Sequence, residues 1–394
     1  LIAVRRQVLK RTDKRFNELD NICFLSKNLY NATLYEMRQS YFKTKTYLKY
    51  ETINKKFTHE NQVDYRALPA KVSKMTQMLA EQGFKSYREK KKKGDAKARL
   101  PKYLVKDGRQ VVNYTKQALS FKKKGCVKLS GTEIYIEIGE LDVNFVRITP
   151  RGNHIIVEIG YEIEEKEIQN NERYASIDLG INNLATITSN VFKPFIINGR
   201  ALKGINQYYN KNLAIQKSKL EKINLKTSKK VKNLHIKRNN KINDCLHKAT
   251  RLLVNYLVSK QISILIIGYN KGWKQNTDMG TENNQKFYNI PFYKFKKMLK
   301  YKCKVEGITL IEQEERYTSQ ASFLDKEKVS KKINFMGKRI KRGLFETKNK
   351  ILINADVNAS YNILKKYLTK KGVWNEKIFS DCIEVYSTPL LRNF

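Results

Sequence analysis

Two aspartates far apart in the chain lie in segments that otherwise bury apolar side chains. Asp178 ends an apolar strand within ASIDLGINNLAT (residues 175–186), and Asp356 begins a helix within NADVNASYNI (residues 354–363). An ionised carboxylate in such a setting is costly unless a cation offsets its charge. Together the two acids predict a metal site assembled from distant parts of the chain. Taken singly, each acid has the alternative of a turn or helix N-cap role.

The charge balance points to a polyanionic partner. The chain has 394 residues, with 79 Lys and Arg against 37 Asp and Glu, which gives a formal net charge of +42. A nucleic acid would neutralise this self-repulsion, whereas a protein or metabolite partner gives no reason for it. The basic residues are spread over the whole length, so we expect several domains to contact the nucleic acid. The alternative is a merely solvated basic surface.

Cysteine spacing and hydropathy exclude further classes of protein. Five cysteines stand far apart and form no C-x-x-C pair, which argues against a disulfide framework and a zinc ribbon and suits a reducing cytoplasm. The most apolar stretch, residues 262–267, is too short to span a bilayer, so no membrane partner is expected. Leu1 in place of Met is consistent with an alternative start codon or a trimmed chain.

The first 170 residues alternate between strand and helix patterns. A strand near the start is followed by helical spacing over about 13–45 and 71–92, and a period of two dominates about 110–163. We expect residues 1–170 to form a β-barrel that carries an inserted helical domain over about 13–105.

Residues 171–394 predict an α/β domain of the RNase H type. Three strands (174–178, 184–189 and 195–198) precede a Lys-rich helical hairpin, a buried strand over 263–269, a helix, a strand over 308–314 and a terminal helix. Residues 318–350 read as an inserted basic lobe. In such a sheet the first strand is central, so an acid at its end meets groups from the neighbouring strand and the last helix.

This arrangement suits metal-dependent phosphodiester hydrolysis. Enzymes of this kind use two metal ions about 3.5–4 Å apart, one activating water and one stabilising the leaving oxygen. Because Mg²⁺ prefers oxygen ligands, three or four carboxylates must converge on the pair. Asp178 and Asp356 supply two of them, and a third acid is needed.

Several ordered motifs resemble one family. They are ASIDLGINNLAT, LIIGYNKGWKQ (265–275), ERYTSQASFLD (315–325) and NADVNASYNI, with RLPKY (99–103) and VNYTKQA (112–118) in the N-terminal half. Together they resemble TnpB, the OrfB-type transposase family of transposon-encoded, RNA-guided nucleases related to type V CRISPR effectors. The resemblance implies a RuvC-type core, a guide RNA derived from the transposon end, and double-stranded target DNA cut beside a short motif. It also implies a Mg²⁺ cofactor and a cytoplasmic, nucleoid-associated protein of a prokaryote.

Two departures from the family pattern affect the site. Most members end the central strand with a catalytic Glu where this chain has Gly268, and the usual zinc-ribbon cysteines correspond to Ser322 and Asp325. No zinc is therefore expected. The missing acid means either an inactive nuclease or a substitute from the adjacent strand, where Glu314 and Glu315 end ITLIEQEE. Only one of the two can face the site because side chains alternate.

We favour Glu315 as the third catalytic metal ligand, with Glu314 as the alternative. Relatives that lack the usual Glu resemble this chain in an E-x-Y-T-S pattern, matched by Glu315, Tyr317, Thr318 and Ser319. The other possibility is that both glutamates are solvated strand-end charges.

Further residues are candidates for nucleic-acid contact. Lys271, Trp273 and Lys274 combine cations with an aromatic ring, as a stacking platform would, although Trp273 has the alternative of a buried packing role. The remaining candidates are Tyr317, Ser319, Arg339, Lys341 and Arg342.

Four asparagines flank the acids: Asn182, Asn183, Asn354 and Asn358. They either orient the acids or a phosphate, or serve as turn and cap residues. Three functions remain open from the sequence: an RNA-guided endonuclease, a nuclease-inactive RNA-guided repressor, and a DNA transposase.

Overall fold

A computed structural model of the protein describes residues 1–270, 288–375 and 389–392. The chain divides into two compact units, Leu1–Glu164 and Glu165–Phe394. Each unit has a buried apolar core of its own. Within the described ranges, no helix combines the length and the apolar character that crossing a bilayer requires.

The N-terminal unit alternates strands with a helical insertion. Strand β1 (Ile2–Lys10) is followed by α1 (Phe16–Thr44), α2 (Tyr50–His59), α3 (Val63–Arg66) and α4 (Ala70–Lys92). The later strands are β2 (Val112–Thr115), β3 (Leu119–Ser120), β4 (Cys126–Leu129), β5 (Tyr135–Glu137), β6 (Val143–Arg151) and β7 (His154–Glu162).

The predicted closed β-barrel is not confirmed. The strands form two open antiparallel sheets, one in the order β1-β7-β6-β2 and one in the order β3-β4-β5. Strands β1 and β2 are the edges of the first sheet and do not pair with each other. Helix α4 packs against the short edge strand β2, so a helix covers this edge instead of a closing strand.

The C-terminal unit contains the predicted sequence of strands and helices. It comprises β8 (Tyr174–Leu179), β9 (Asn183–Ser189), β10 (Phe195–Asn198), α5 (Arg200–Glu221), α6 (Lys229–Ser259), β11 (Ile264–Tyr269), α7 (Phe292–Val305) and β12 (Thr309–Glu314). Three short strands follow, β13 (Lys338–Lys341), β14 (Leu344–Glu346) and β15 (Leu352–Asn354), and then α8 (Ala355–Lys370) and β16 (Leu390–Arg392).

The sheet of this unit has the predicted RNase H-type order. Its strands run β12-β11-β8-β9-β10-β16, with β8 between β11 and β9. Strands β11 and β12 are parallel to β8, and β9 is antiparallel to it. This pairing confirms that the strand carrying Asp178 is central. Because β8, β11 and β12 are parallel, their C-terminal ends lie side by side at the same end of the sheet. Strand β16 pairs in parallel with β10 and was not predicted.

Helix α8 lies against the centre of this sheet. It packs on β8, β9 and β11, and nearly all of its first fourteen residues are buried. The helix begins where β15 ends, and β15 pairs with β14 in the three-stranded sheet of the basic lobe. The lobe is therefore attached to the helix that carries Asp356.

Candidate active site

Asp178 lies on the central strand in a half-buried position. It is the fifth residue of β8 and pairs with Thr186 of β9. Burial raises the pKa of Asp178 well above its ordinary value, and the negative charges of Asp356 and Glu315 raise it further, whereas Arg339 opposes the shift. Asp356 and Glu315 are thus close enough to Asp178 for their charges to act on it.

Asp356 is held in the first turn of α8. Asn354 is the N-cap, because its side-chain oxygen accepts hydrogen bonds from the backbone N–H groups of Asp356 (3.0 Å) and Val357 (3.2 Å). The alternative that Asp356 itself is the cap is therefore wrong. Its carboxylate instead accepts a hydrogen bond from Asn183 Nδ2 at 2.7 Å and lies 3.9 Å from the Arg339 guanidinium. Asn183 thus links the start of β9 to the start of α8.

Glu315 and Glu314 have opposite environments. Glu314 ends β12 and is exposed, where it pairs with Arg316 (3.1 Å) and Lys366 (3.6 Å). Glu315 follows it, is half-buried, and accepts a hydrogen bond from Asn270 Nδ2 at 2.9 Å. Burial raises the pKa of Glu315 to about 7, with Lys366 as a weaker opposing influence.

The absence of a side chain at Gly268 makes room for Glu315. A Cβ on Gly268 would overlap Glu315 Oε2 and would lie 2.8 Å from Ile363 Cδ1. Real Cβ atoms essentially never approach other heavy atoms this closely. The carboxylate of Glu315 therefore occupies the space into which a side chain at position 268 would project.

The donor set has the chemistry that Mg²⁺ prefers, since all three acids supply carboxylate oxygens. Across residues 1–270, 288–375 and 389–392, no three Asp, Glu, His or Cys side chains are grouped closely enough to hold an ion as placed. Asn183 and Asn270 each engage one of the acids. Each amide engages one oxygen of its acid, so the other oxygen of each carboxylate is left for an ion once the side chains draw together.

A basic cleft of about 770 Å³ adjoins Asp356. Of the predicted nucleic-acid contacts, Arg339 and Arg342 line it. Arg200 and Lys203, at the start of α5, also line the cleft and were missed by sequence reasoning. The helical pattern of this Lys-rich region does not distinguish these two residues from its other basic residues.

The other predicted contact residues are placed differently. Lys341 is exposed at the end of β13, and Ser319 is exposed in the turn after Glu315. Tyr317 lies in the same turn with a left-handed φ of 69°, which is unusual for a residue with a side chain. Lys271, Trp273 and Lys274 lie outside the described residues.

Comparisons with known proteins relate two parts of the chain to family models. The OrfB_IS605 family model, described as "Probable transposase", matches residues 154–274, and the model "Cas12f1-like, TNB domain" matches residues 292–363. These two matches, each over part of the chain, support a TnpB-like protein. No curated protein matches it by sequence.

Solved structures were compared with the fold of this TnpB-like protein. A cryo-EM structure of a Cas12f1–sgRNA–target DNA complex has a TM-score of 0.54 at 13% identity, over 88% of this chain and 82% of that one. A structure of the mini-RNA-guided endonuclease CRISPR-Cas_phi3 has a TM-score of 0.34 at 13% identity, over 57% and 51% of the two chains. The first of these supports a RuvC-like nuclease fold of mixed α/β content.

Asn358 has an anchoring role in the TnpB-like protein that its sequence did not reveal. It is fully buried on α8, accepts a hydrogen bond from Phe323 N (2.9 Å) and donates one to Ala321 O (2.8 Å). Asn362, one turn further on, donates to the carbonyls of Thr318 (2.9 Å) and Ala321 (2.7 Å). These two amides fix the segment that follows Glu315 to the helix that carries Asp356.

Proposed function

We propose that this TnpB-like protein is an RNA-guided, Mg²⁺-dependent DNA endonuclease that cleaves matched double-stranded DNA beside a short motif. The observation that carries the proposal is the position of Glu315. Its carboxylate fills the space left by Gly268, and its charge and that of Asp356 act on Asp178 at the end of the central strand. Burying part of an acid is costly, so an acid in this position is expected only if the site still functions.

In this proposal Asp178, Glu315 and Asp356 hold Mg²⁺. An ion held there would supply activation of water and stabilisation of the leaving oxygen for phosphodiester hydrolysis. The burial and mutual repulsion that raise the pKa of Asp178 favour a cation among the three acids. Asn183 and Asn270 orient Asp356 and Glu315 through their side-chain hydrogen bonds.

The basic cleft supplies the phosphate-binding surface beside the acids. Arg200, Lys203, Arg339 and Arg342 line it together with the single acid Asp356. Guanidinium groups bind phosphate oxygens in a forked geometry, so this surface suits the backbone of a DNA strand that leads to the metal site. Such contacts position a strand without reading its sequence.

The charge and the family resemblance support guide-dependent recognition. A net charge of +42 favours a large polyanionic partner, and base pairing to a guide leaves the protein to bind backbones and to read one short duplex motif. The Cas12f1 structure of similar fold was determined with an sgRNA and target DNA.

A cleft of about 900 Å³ in the N-terminal unit is the candidate surface for the duplex motif. Its lining combines apolar Met75, Met78 and Leu79 with the polar side chains of Asn113 and Asn144. Amide groups donate to and accept from base edges, and apolar groups contact the thymine methyl.

A nuclease-inactive RNA-guided repressor is the second candidate, and Gly268 is the observation that favours it. In that case the protein would bind guide and target in the same way but would lack a functional third acid. A DNA transposase is a weaker candidate, because strand transfer needs an end-binding domain that the sequence does not suggest.

Cleavage of a target library tests the proposal. The protein is purified with co-expressed RNA and incubated with plasmids that carry the matched target beside a randomised motif, with and without Mg²⁺. We expect cleavage of a subset that shares one motif, in Mg²⁺ only. Binding of matched DNA without cleavage in either Mg²⁺ or Mn²⁺ would establish the repressor, and the absence of guided binding would refute both.

A further inference from the structure

The basic lobe, residues 318–350, is built around one buried carboxylate. The side chain of Glu327 is 0% exposed. Its two oxygens accept hydrogen bonds from the backbone N–H groups of Ser322 (2.8 Å) and Met336 (3.2 and 3.3 Å) and pair with Lys332 Nζ at 3.0 Å. A buried charge is tolerated only when it is paired and hydrogen-bonded, and Glu327 meets both conditions.

Zinc does not fit the residues of this lobe. Structural zinc sites use four Cys or His ligands, and residues 318–350 contain neither. At the two positions where the family pattern has Cys, the side chains already have local partners. Ser322 Oγ accepts from Asp325 N (3.4 Å), and Asp325 Oδ2 accepts from Lys348 N (2.8 Å).

We infer that Glu327 replaces a structural metal ion in this lobe and positions Arg339 beside Asp356. Like a ligated ion, the carboxylate joins separate segments of the chain, those around residues 322, 332 and 336. It differs in using N–H donors around a negative charge, where a metal uses anionic ligands around a positive one. The role of Arg339 in this inference rests on the proposed function, whereas the replacement of the metal does not.

The contacts form a closed path through the site. Helix α8 holds the segment around Ser322 through Asn358, which bonds Phe323 N and Ala321 O. The ring of Phe323 also stacks on Tyr361 of the same helix, with centroids 4.6 Å apart. From there Glu327 holds Met336.

Met336 precedes β13, which carries Arg339 back to α8. The Arg339 guanidinium lies 3.9 Å from Asp356, the acid in the first turn of the helix at which the path began. A change at Glu327 therefore reaches the catalytic acid through Arg339. This makes Glu327 a positioning residue, since it contacts neither the acids nor the cleft.

The test begins with the metal content and stability of the purified full-length protein. We expect no stoichiometric zinc after growth in zinc-supplemented medium, and a Tm that EDTA leaves unchanged. Glu327→Gln should lower the Tm by at least about 5 °C, because the buried carboxylate loses the charge that pairs with the partly exposed Lys332 and strengthens its backbone hydrogen bonds. Glu346→Gln is the matched control: Glu346 lies in the same lobe and pairs with exposed Lys338 and Lys350, so its Tm should stay within about 1 °C of wild type.

The positioning role is tested by a double-mutant cycle on target cleavage below the Tm of every variant. If Glu327 acts through Arg339, Glu327→Gln should slow cleavage about tenfold in the wild-type background and have no further effect in Arg339→Ala. Multiplicative losses would overturn this role. Stoichiometric zinc, or a Glu327→Gln variant as stable as Glu346→Gln, would overturn the metal replacement.

The two parts of the test separate this inference from the proposed function. If the wild-type protein proves not to cleave DNA, the zinc and Tm measurements still decide whether Glu327 replaces the metal. If Glu327→Gln cannot be recovered folded, Lys332→Met replaces it in both arms, since it removes the only side-chain cation bonded to Glu327 in the described part of the lobe.

Discussion

The carboxylate of Glu315 lies where a side chain on Gly268 would project. A Cβ at position 268 would overlap Glu315 Oε2 and crowd Ile363, so a larger residue at 268 and the present position of Glu315 exclude each other. Because β11 and β12 are parallel neighbours, an acid just beyond the end of one strand reaches the end of the other. The absence of a side chain at Gly268 and the acid at position 315 thus form one structural feature.

Enlarging Gly268 should therefore damage the site. We expect Gly268→Ala and Gly268→Glu to displace Glu315, to lower the Tm and to reduce cleavage about tenfold or more. Gly268→Glu should not raise activity, since it adds a negative charge to an already repulsive group. Gly204→Ala is the stability control, because a Cβ there meets nothing within 4 Å. Higher activity of Gly268→Glu would contradict this account.

The stability of the metal-free protein should depend on pH through Glu315. Burial raises the pKa of Glu315 from 4.5 to about 7, so the folded protein binds this proton more tightly than the unfolded chain does. The resulting stabilisation is fully present below about pH 4.5 and is lost as the pH rises through about 7. The Tm of Glu315→Gln relative to wild type, followed from pH 4 to 8, measures this contribution. A difference that does not change with pH would contradict the assignment.

Stabilisation of the protein by Mg²⁺ should increase with pH, because Mg²⁺ competes with the proton for the same carboxylates. We expect the rise in Tm caused by Mg²⁺ to be larger at pH 8 than at pH 6. In Glu315→Gln this rise should be smaller at both pH values. Equal Mg²⁺ effects in wild type and Glu315→Gln would place the ion elsewhere.

The two asparagines that bond the acids should matter for rate more than for folding. Asn183→Ala and Asn270→Ala each remove a side-chain hydrogen bond to a proposed metal ligand. Such a loss typically lowers metal affinity or activity about 10- to 100-fold, and we expect the cleavage rate to fall by a factor in this range. Asn212→Ala is the control, as Asn212 is a half-buried residue of α5 whose side chain donates to Tyr208 O of the same helix. Single-turnover cleavage rates measure the effect. Wild-type rates for both site variants would show that the amides are incidental.

The protein should co-purify with RNA. Its charge of +42 is neutralised by an RNA of tens to hundreds of nucleotides, and binding should weaken steeply with salt, by about 0.7 to 0.9 in the log–log slope for each phosphate contacted. Sequencing of the bound RNA and the salt dependence of its affinity check this. Stable protein free of nucleic acid would count against a guide-dependent function.

Local patterns predicted the C-terminal unit well because its central strands β8 and β11 are covered on both faces. The run Ile264–Ile267 is apolar throughout, which identified a central strand, and the strand order then followed from the RNase H-type succession of elements. Asp178, Glu315 and Asp356 could be placed at one edge of the sheet for the same reason. Alternation along β12 left only one of Glu314 and Glu315 for the site, and the choice of Glu315 rested on the E-x-Y-T-S resemblance.

The features that the sequence did not predict depend on contacts between distant parts of the chain. Whether β1 and β2 close a barrel depends on contacts between strands about a hundred residues apart, and periodicity does not encode them. The role of Glu327 was missed because its neighbours are backbone N–H groups, which leave no trace in the side-chain pattern. Asn358 was noted as a neighbour of Asp356, but its bonds to the 321–323 segment depend on how the lobe folds back on α8.

The most direct measurement compares guided cleavage by wild type, Glu315→Gln and Glu314→Gln, each loaded with the same RNA, with Asp178→Ala and Asp356→Ala as references. Glu315→Gln should match the two references, with cleavage reduced more than about 100-fold and RNA affinity retained, because it keeps size but removes the charge that holds Mg²⁺. Glu314→Gln should cleave within about twofold of wild type, as its exposed ion pairs contribute little. Wild-type cleavage by Glu315→Gln, or loss of cleavage by Glu314→Gln alone, would contradict the account.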